Sequence, residues 1–177
     1  MKKIESQRIL GIDPGFGRTG WGVIEKVGAD SSRGGQEWQL VAYGCIETSA
    51  KKDFISRVDE LHFELVKVIK KYKPTRSGVE DLFFAKNVTT AMKVGQARGV
   101  ILLTLHQAEI PIDEFTPLQI KQALTGYGRA EKGQVQKMVE MILQIKKKIR
   151  PDDAADALAV AITCGASMKM RSKTSVR

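Results

Sequence analysis

The stretch GIDPGFGRTGWGVIE, residues 11–25, decides what kind of sheet this chain can build. It contains the pattern G-x-G-x-x-G at Gly15, Gly17 and Gly20, which in dinucleotide-binding proteins opens a helix whose N-terminus holds a pyrophosphate. Here the residues that follow, 21–27, favour a strand over a helix. The pattern therefore predicts the turn of a β-hairpin, and we expect its glycines to serve positive φ angles rather than a nucleotide.

The hydrophobic pattern of the whole chain predicts both strands and helices. Three β-rich segments come first, and helical periods then alternate with short apolar runs before the chain ends in helices. The predicted strands are residues 8–12, 20–27, 38–48, 78–84 and 111–115. The predicted helices are residues 54–72, 88–107, 117–125, 131–147 and 152–166. This order predicts an α/β fold with a mixed five-stranded sheet flanked by helices. We assign residues 1–167 to one domain and expect the basic residues 168–177 to form a disordered tail.

The charge of the chain indicates a polyanionic partner. It has 29 Lys and Arg against 20 Asp and Glu, a net charge of +9. This excess favours nucleic acid, although a solvated basic surface would have the same composition. The first ten residues lack the apolar run of a secretory signal, and no stretch approaches the ~20 apolar residues of a membrane span. We therefore expect a cytoplasmic protein without membrane contact, in which the isolated Cys45 and Cys164 are reduced thiols.

Two carboxylates lie at the end of or inside predicted strands, where a charge is costly. Asp13 ends the first apolar run, which favours a paired or metal-binding carboxylate, although an Asp-Pro-Gly turn is an alternative explanation. Glu80 lies inside GVEDLFF, a strand interior that disfavours Glu, although an edge or strand-end carboxylate facing water would fit the same pattern. If the fourth strand lies beside the first, these two acids lie near each other.

The last predicted helix supplies further acids in PDDAADALAVAI. Asp152 and Asp153 suit the positive end of the helix dipole. Asp156 lies a turn further along an Ala-rich helix and shares a face with Asp153 or with Asp152. The small alanines allow this helix to pack closely on a sheet. Carboxylates from two strands and a helix repel each other unless cations neutralise them, and oxygen ligands select Mg²⁺ or Mn²⁺. Two such ions, about 3.5–4 Å apart, can activate water for phosphodiester hydrolysis.

Five segments, in family order, resemble the RuvC family of bacterial Holliday junction resolvases. They are ILGIDPG, GVEDLFFAKN, GQARGV, TPLQIKQALTGYGRAEKGQVQKMV and DDAADALAVAI. The resemblance implies an RNase H-like fold and a homodimer that nicks four-way DNA junctions symmetrically, in recombination and repair, by divalent-metal-dependent hydrolysis. It also implies Mg²⁺ as cofactor, two ions per subunit with Mn²⁺ as a substitute, and the branch-migration motor of the same pathway as a partner.

The resemblance also assigns individual residues. The catalytic and metal-binding acids it implies are Asp13, Glu80, Asp153 and Asp156. It thereby favours Asp153 over Asp152, whose role stays open. The DNA-binding residues it implies are Phe83, Lys121, Arg129 and Lys132. An aromatic can stack on an unpaired base and cations can neutralise phosphates, but a core aromatic and solvated surface cations would explain the same residues. Phe84 is assigned to the core.

The predicted helix 88–107 carries a stripe of small residues. Ala91, Gly95 and Gly99 recur every four residues, which permits another backbone to approach closely. Packing on the protein's own sheet and a dimer contact, which the resemblance implies, both fit this stripe.

Three other functions fit parts of the sequence. A nuclease of the same fold acting on RNA or RNA/DNA hybrids would need the same acids. An actin-like ATPase also has an Asp followed by a glycine-rich turn, but it needs two lobes to enclose its nucleotide, and 177 residues allow one. A junction-binding protein without catalysis would need the basic surface alone.

Overall fold

The structure, a computed structural model, describes residues 7–27, 37–82 and 88–174. Its strands are β1 (Arg8–Asp13), β2 (Arg18–Lys26), β3 (Trp38–Glu47), β4 (Arg76–Glu80) and β5 (Ile112–Phe115). Its helices are α1 (Phe54–Tyr72), α2 (Val88–Gln107), α3 (Pro117–Thr125), α4 (Lys132–Ile142) and α5 (Asp152–Thr174). Phe83 and Phe84 lie outside the described residues.

The described strands form a mixed five-stranded sheet in the order β3-β2-β1-β4-β5. The pairs β1–β2 and β2–β3 are antiparallel, while β1–β4 and β4–β5 are parallel. This confirms the predicted α/β fold. It also confirms the hairpin, because β1 pairs directly with β2 from Arg8 opposite Glu25 to Asp13 opposite Gly20.

Helices cover both faces of the sheet because its central strands bury apolar side chains on both sides. Ile9 and Ile24 pack with α3, α4 and α5, whereas Leu10 and Val23 face α1 and α2. All four side chains are fully buried. The central strands β1 and β2 therefore have no face in water, which explains why their sequences are nearly continuously apolar. None of the described helices is long and apolar enough to span a membrane.

The glycines of the first hairpin provide space, so the expectation that they serve positive φ angles is wrong. Among the described glycines only Gly126 has a positive φ, 71°. A Cβ atom on Gly15 would lie 2.0 Å from the carbonyl oxygen of Arg18, and one on Gly20 would lie 1.9 Å from that of Asp153. Gly20 therefore allows α5 to lie directly on β2, which confirms the predicted close approach of the Ala-rich helix.

The fourth strand is shorter than predicted and lies earlier in the chain. It covers residues 76–80 rather than 78–84, because its neighbours β1 and β5 end at Asp13 and Phe115. Beyond Glu80 only one further ladder bond forms among the described residues, from the backbone N–H of Asp81 to the carbonyl of Phe115 at 2.8 Å. Glu80 is consequently the last residue of its strand and not an interior one.

Two helix ends also differ from the sequence predictions. The predicted helix 131–147 ends at Ile142, because Gln144 adopts a left-handed backbone conformation with φ of 52°. The last helix runs to Thr174 instead of residue 166, so the predicted tail 168–177 begins within a helix. Met, Lys and Arg dominate residues 168–173, and all three have high helix propensity. The basic, polar composition of this segment had indicated a disordered tail instead.

Candidate active site

Acids from two strands and a helix come together at one end of the sheet. Strands β1 and β4 are parallel and paired up to Ile12 and Val79, so the next residues, Asp13 and Glu80, end neighbouring strands. Asp156, near the start of α5, joins them. These three carboxylates line a cavity of about 240 Å³. The sequence predicted this convergence, and the catalytic role of the three acids stays a prediction.

Burial and mutual repulsion change the protonation of the strand-end acids. The pKa of Asp13 is raised to about 8, first by burial and then by the negative charges of Glu80, Asp156 and Asp153. Burial also raises the pKa of Glu80. A side-chain hydrogen bond between the two raises the pKa of Asp13 and opposes the rise at Glu80, so the Asp13 carboxyl holds the proton and donates it. Without a cation, this pair retains one proton near neutral pH.

Two lysines line the same cavity as the acids. Lys132 Nζ lies 2.8 Å from Asp156 Oδ2 and 3.9 Å from Asp152 Oδ2. Its hydrogen bond to Asp156 raises the pKa of Lys132, which keeps the ammonium charged. Lys121 is close enough for its charge to oppose the raised pKa of Glu80. The structure therefore brings Lys121 and Lys132 to the predicted site.

Asp153 lies beside this cavity and has its own counter-ion. Its Oδ2 lies 3.7 Å from Nη1 of Arg18, whose Nη2 also lies 3.2 Å from Oε1 of Glu47. The Asp153 charge still reaches Asp13, since it contributes to the raised pKa there. Asp152 is exposed, and its ion pair among the described residues is with Lys132.

The consecutive acids Glu80 and Asp81 have different environments. Glu80 lines the cavity, whereas Oδ1 of Asp81 lies 3.1 Å from Nη2 of Arg98 on α2. Successive side chains of an extended chain point in opposite directions, which accounts for the difference. Of the two acids in this pair, Glu80 is the one available to the cavity.

The remaining predicted DNA-binding residues are less closely tied to the acids. Arg129 is exposed in the turn between α3 and α4, outside the residues that line the cavity. Phe83 lies outside the described residues. Their roles at DNA stay predictions.

The donor set fits a hard divalent cation. Among the described residues, no group of three or more His, Cys, Asp and Glu side chains forms a closed metal cage. Mg²⁺ is usually bound through one or two carboxylates together with water and substrate phosphates, so a cage is not required. Asp13 and Glu80 supply adjacent carboxylate oxygens whose negative charge is only partly balanced. Both features suit a divalent ion, and the arrangement of two ions among four acids stays a prediction.

Two arginines at the edge of this site were not found from the sequence. Arg18 contacts Asp153, and Arg98 contacts Asp81. The sequence pattern places Arg18 in a turn and Arg98 within the segment GQARGV, without a role for either. Both contacts join residues far apart in the chain, and neither residue follows a local pattern that would indicate its partner.

Comparison with known proteins identifies the family. The family model described as crossover junction endodeoxyribonuclease RuvC matches residues 9–164. A relative of that name from Petrotoga mobilis is 52% identical over 157 residues, covering 89% of this chain and 92% of the relative. The structure of Thermus thermophilus RuvC in complex with a Holliday junction substrate is 35% identical, with a TM-score of 0.84, covering 93% of this chain and 96% of that one. Yeast mitochondrial Ydc2, a Holliday junction resolvase, shares the fold at 15% identity and a TM-score of 0.65, covering 90% of this chain and 79% of that one. The fold is thus RNase H-like, and the chain belongs to the crossover junction endodeoxyribonuclease RuvC family.

Proposed function

We propose that this protein is a Holliday junction resolvase, an endonuclease that nicks four-way DNA junctions symmetrically in recombination and repair. The observation that carries the proposal is the half-buried, hydrogen-bonded pair of Asp13 and Glu80 beside Asp156, in a cavity that also presents Lys121 and Lys132. Carboxylates that bind a divalent ion, next to lysines that attract a phosphate, meet the needs of phosphodiester hydrolysis. Family membership and the net charge of +9 support junction DNA as the substrate.

The acids would hold the cofactor. The family is one of divalent-metal-dependent nucleases, and we propose two Mg²⁺ per subunit, with Mn²⁺ as a substitute, held by Asp13, Glu80, Asp153 and Asp156. When bound, the ions supply positive charge for the phosphate and lower the pKa of water. Asp13 must lose its proton to act as a ligand. Water would then attack phosphorus and release a proton to solvent, while the bond to the 3′ oxygen breaks and that oxygen takes up a proton from solvent, which leaves 5′-phosphate and 3′-hydroxyl ends.

The lysines would act on the substrate phosphate. Lys121 and Lys132 line the cavity, so their ammonium groups lie near any phosphate held there and neutralise the charge that grows in the transition state. Lys132 is held in place by Asp156 at 2.8 Å. Arg129 extends the positive surface along the turn before α4, and Phe83, which follows Glu80 by three residues, is proposed to stack on a base.

A homodimer through α2 would place two such sites around a two-fold axis, which matches the symmetry of a junction. The outward face of α2 supports this proposal, because Met92 and Leu103 are 62% and 55% exposed, unusual values for large apolar side chains. Gly99 lies between them, exposed and with open space around it. Met92, Gly99 and Leu103 follow the helical period, so they form one apolar stripe. The branch-migration motor of the same pathway is the protein partner that family membership favours.

The glycine in this stripe gives a direct test of the dimer. In one subunit a Cβ at Gly99 would have no described atom within 4 Å, so Gly99→Glu should leave the subunit folded and favour its helix. A carboxylate in a close apolar contact between helices is costly, so we expect the variant to be monomeric. Light scattering after size exclusion measures the mass. Gly133→Glu is the matched control, because Gly133 on α4 is equally open. A variant at Gly99 that stays dimeric would exclude this face as the interface.

Cleavage of a mobile synthetic four-way junction in Mg²⁺ tests the function as a whole. We expect paired symmetric nicks in the junction and none in linear duplex or RNA/DNA hybrid. Cutting of the hybrid alone would indicate a ribonuclease. Binding without cutting in either Mg²⁺ or Mn²⁺ would indicate a junction-binding protein, and tight ATP binding would favour the actin-like alternative.

A further inference from the structure

Arg98 bridges two acids on neighbouring strands. It lies on α2, yet its side chain is only 17% exposed. Its Nη2 lies 3.1 Å from Oδ1 of Asp81, directly after β4, and it also donates a hydrogen bond to Oε2 of Glu114 on β5. One guanidinium therefore connects α2 with the ends of two parallel strands.

The segment that Arg98 holds begins immediately after Glu80. The backbone N–H of Asp81 donates to the carbonyl of Phe115 at 2.8 Å, and that of Leu82 donates to Oδ1 of Asp81 at 2.9 Å. One turn before Arg98, Gly95 passes close to Leu82, since a Cβ there would lie 3.7 Å from Leu82 Cδ1. Helix α2 thus contacts both residues that follow Glu80.

We propose that Arg98 is a positioning residue for Glu80. By holding Asp81 against Glu114, it fixes the rotation of the chain at the end of β4 and keeps the Glu80 side chain directed at Asp13. This follows from the opposite directions of successive side chains in an extended chain. The inference rests on the proposed function of Glu80 as a metal-binding acid. Since α2 also carries the proposed dimer stripe, Arg98 connects the subunit interface to the cavity.

A contribution to folding stability alone does not explain the position of Arg98. Asp81 and Glu114 are each about half exposed, at 48% and 49%, and ion pairs to exposed partners contribute little to folding. The Nε of Arg98 is buried without a hydrogen-bond partner among the described residues, which is unfavourable. Its loss should therefore change the geometry of the site more than the stability of the fold.

The chain offers a matched control at the other end of the same two strands. Arg76, which begins β4, places Nη1 2.6 Å from Oδ2 of Asp113 on β5. Arg76→Gln removes an ion pair to β5, as Arg98→Gln does, but the change is at the end of β4 opposite to Glu80.

The experiment compares Arg98→Gln, Arg98→Lys and Arg76→Gln. For each we would measure the single-turnover rate of junction cleavage, the Mg²⁺ concentration that gives half the maximal rate, and the Mg²⁺-induced rise in Tm without DNA. Groups that orient metal ligands typically change affinity or activity about 10–100-fold. We expect Arg98→Gln to cut the rate about tenfold, to need about tenfold more Mg²⁺ in both assays, and to be partly rescued in Arg98→Lys. Arg76→Gln should stay within about twofold of the wild-type protein in both Mg²⁺ assays.

Equal effects of Arg98→Gln and Arg76→Gln, or an unchanged Mg²⁺ requirement in Arg98→Gln, would overturn the proposal. If Arg98→Gln does not fold, Asp81→Asn tests the proposal instead. That variant removes the ion pair that holds the segment after β4, while the ion pair between Arg98 and Glu114 remains. An unchanged Mg²⁺ requirement in Asp81→Asn would then overturn it, and a raised one would support it. Failure of the proposed function would show as a wild-type protein that does not cut junctions. The Mg²⁺-induced rise in Tm would still test Arg98 in that case.

Discussion

Asp13→Asn is expected to lower junction cleavage on the order of 10³-fold and, in the absence of metal, to stabilise the fold. The first effect follows because the amide is a poor ligand at the centre of the proposed metal site. Losing about 4 kcal/mol of transition-state stabilisation, the scale of a metal contribution, corresponds to this factor. The second effect follows because the amide cannot take on the negative charge that burial and three neighbouring acids oppose when Asp13 ionises.

The stabilisation should depend on pH in a defined window. The pKa of Asp13 is raised from 3.8 to about 8. The folded protein therefore binds this proton more tightly than the unfolded chain does. Its contribution to stability is fully present below about pH 4 and is lost as the pH rises to about 8. The amide of the variant does not titrate, so the free energy of unfolding of Asp13→Asn should exceed that of the wild-type protein increasingly across this window, by several kcal/mol at its upper end.

Thermal unfolding in EDTA from pH 4 to pH 9 measures this difference, and the cleavage assay measures the first effect. Asp59→Asn is the control, because Asp59 is an exposed acid on α1. Added Mg²⁺ should raise the Tm of the wild-type protein and leave that of Asp13→Asn nearly unchanged. A difference in stability that stays flat with pH, or a variant less stable than the wild-type protein at pH 8, would contradict a half-buried Asp13 that holds its proton.

Asp13 and Glu80 could be selected as candidate site residues from the sequence, because a carboxylate within or directly after a short apolar run is unusual. The sequence left a turn residue or a paired or metal-binding acid for Asp13, and a functional or a water-facing acid for Glu80. The structure shows that their neighbours Ile12 and Val79 are fully buried. The helices α1 and α2 were predicted with correct bounds because the helical period of α1 is regular and Pro74 follows it, and because α2 lies between two predicted strands. In these elements local sequence and tertiary structure agree.

Contacts between distant segments were not predictable in the same way. The pairing of Arg18 with Asp153 and of Arg98 with Asp81 depends on how α5 and α2 lie on the sheet. No period or turn signal contains that information. The contribution of Gly20 to the close approach of α5 was likewise invisible, because a glycine next to a turn is already explained by the turn. Asp152 and Asp153 could not be separated by spacing, and the structure distinguishes them by their counter-ions, Lys132 and Arg18.

Gly20→Ala is expected to cause a large loss of stability and to disturb the acids at the same time. A Cβ at Gly20 would lie 1.9 Å from the carbonyl oxygen of Asp153 and 3.1 Å from the backbone nitrogen of Ala154. Both atoms belong to the first turn of α5, which no side-chain rotation can move. The helix start must therefore lift from β2, at a cost of about 3 kcal/mol or more. This corresponds to a fall in Tm of roughly 6–12 °C for a chain of this size.

The same movement would displace Asp153 and Asp156, which share that end of α5. We therefore expect cleavage by Gly20→Ala, measured where the variant is still folded, to fall at least about tenfold. Gly165→Ala separates this effect from stability. A Cβ at Gly165 would lie 2.6 Å from the Trp38 ring, so that variant strains the same helix just past its middle, more than three turns from Asp153. It should lose stability and cut junctions within about twofold of the wild-type rate. Equal losses of activity in both variants would mean that stability alone decides, and an unchanged Tm in Gly20→Ala would mean that α5 does not lie as close to β2 as the structure places it.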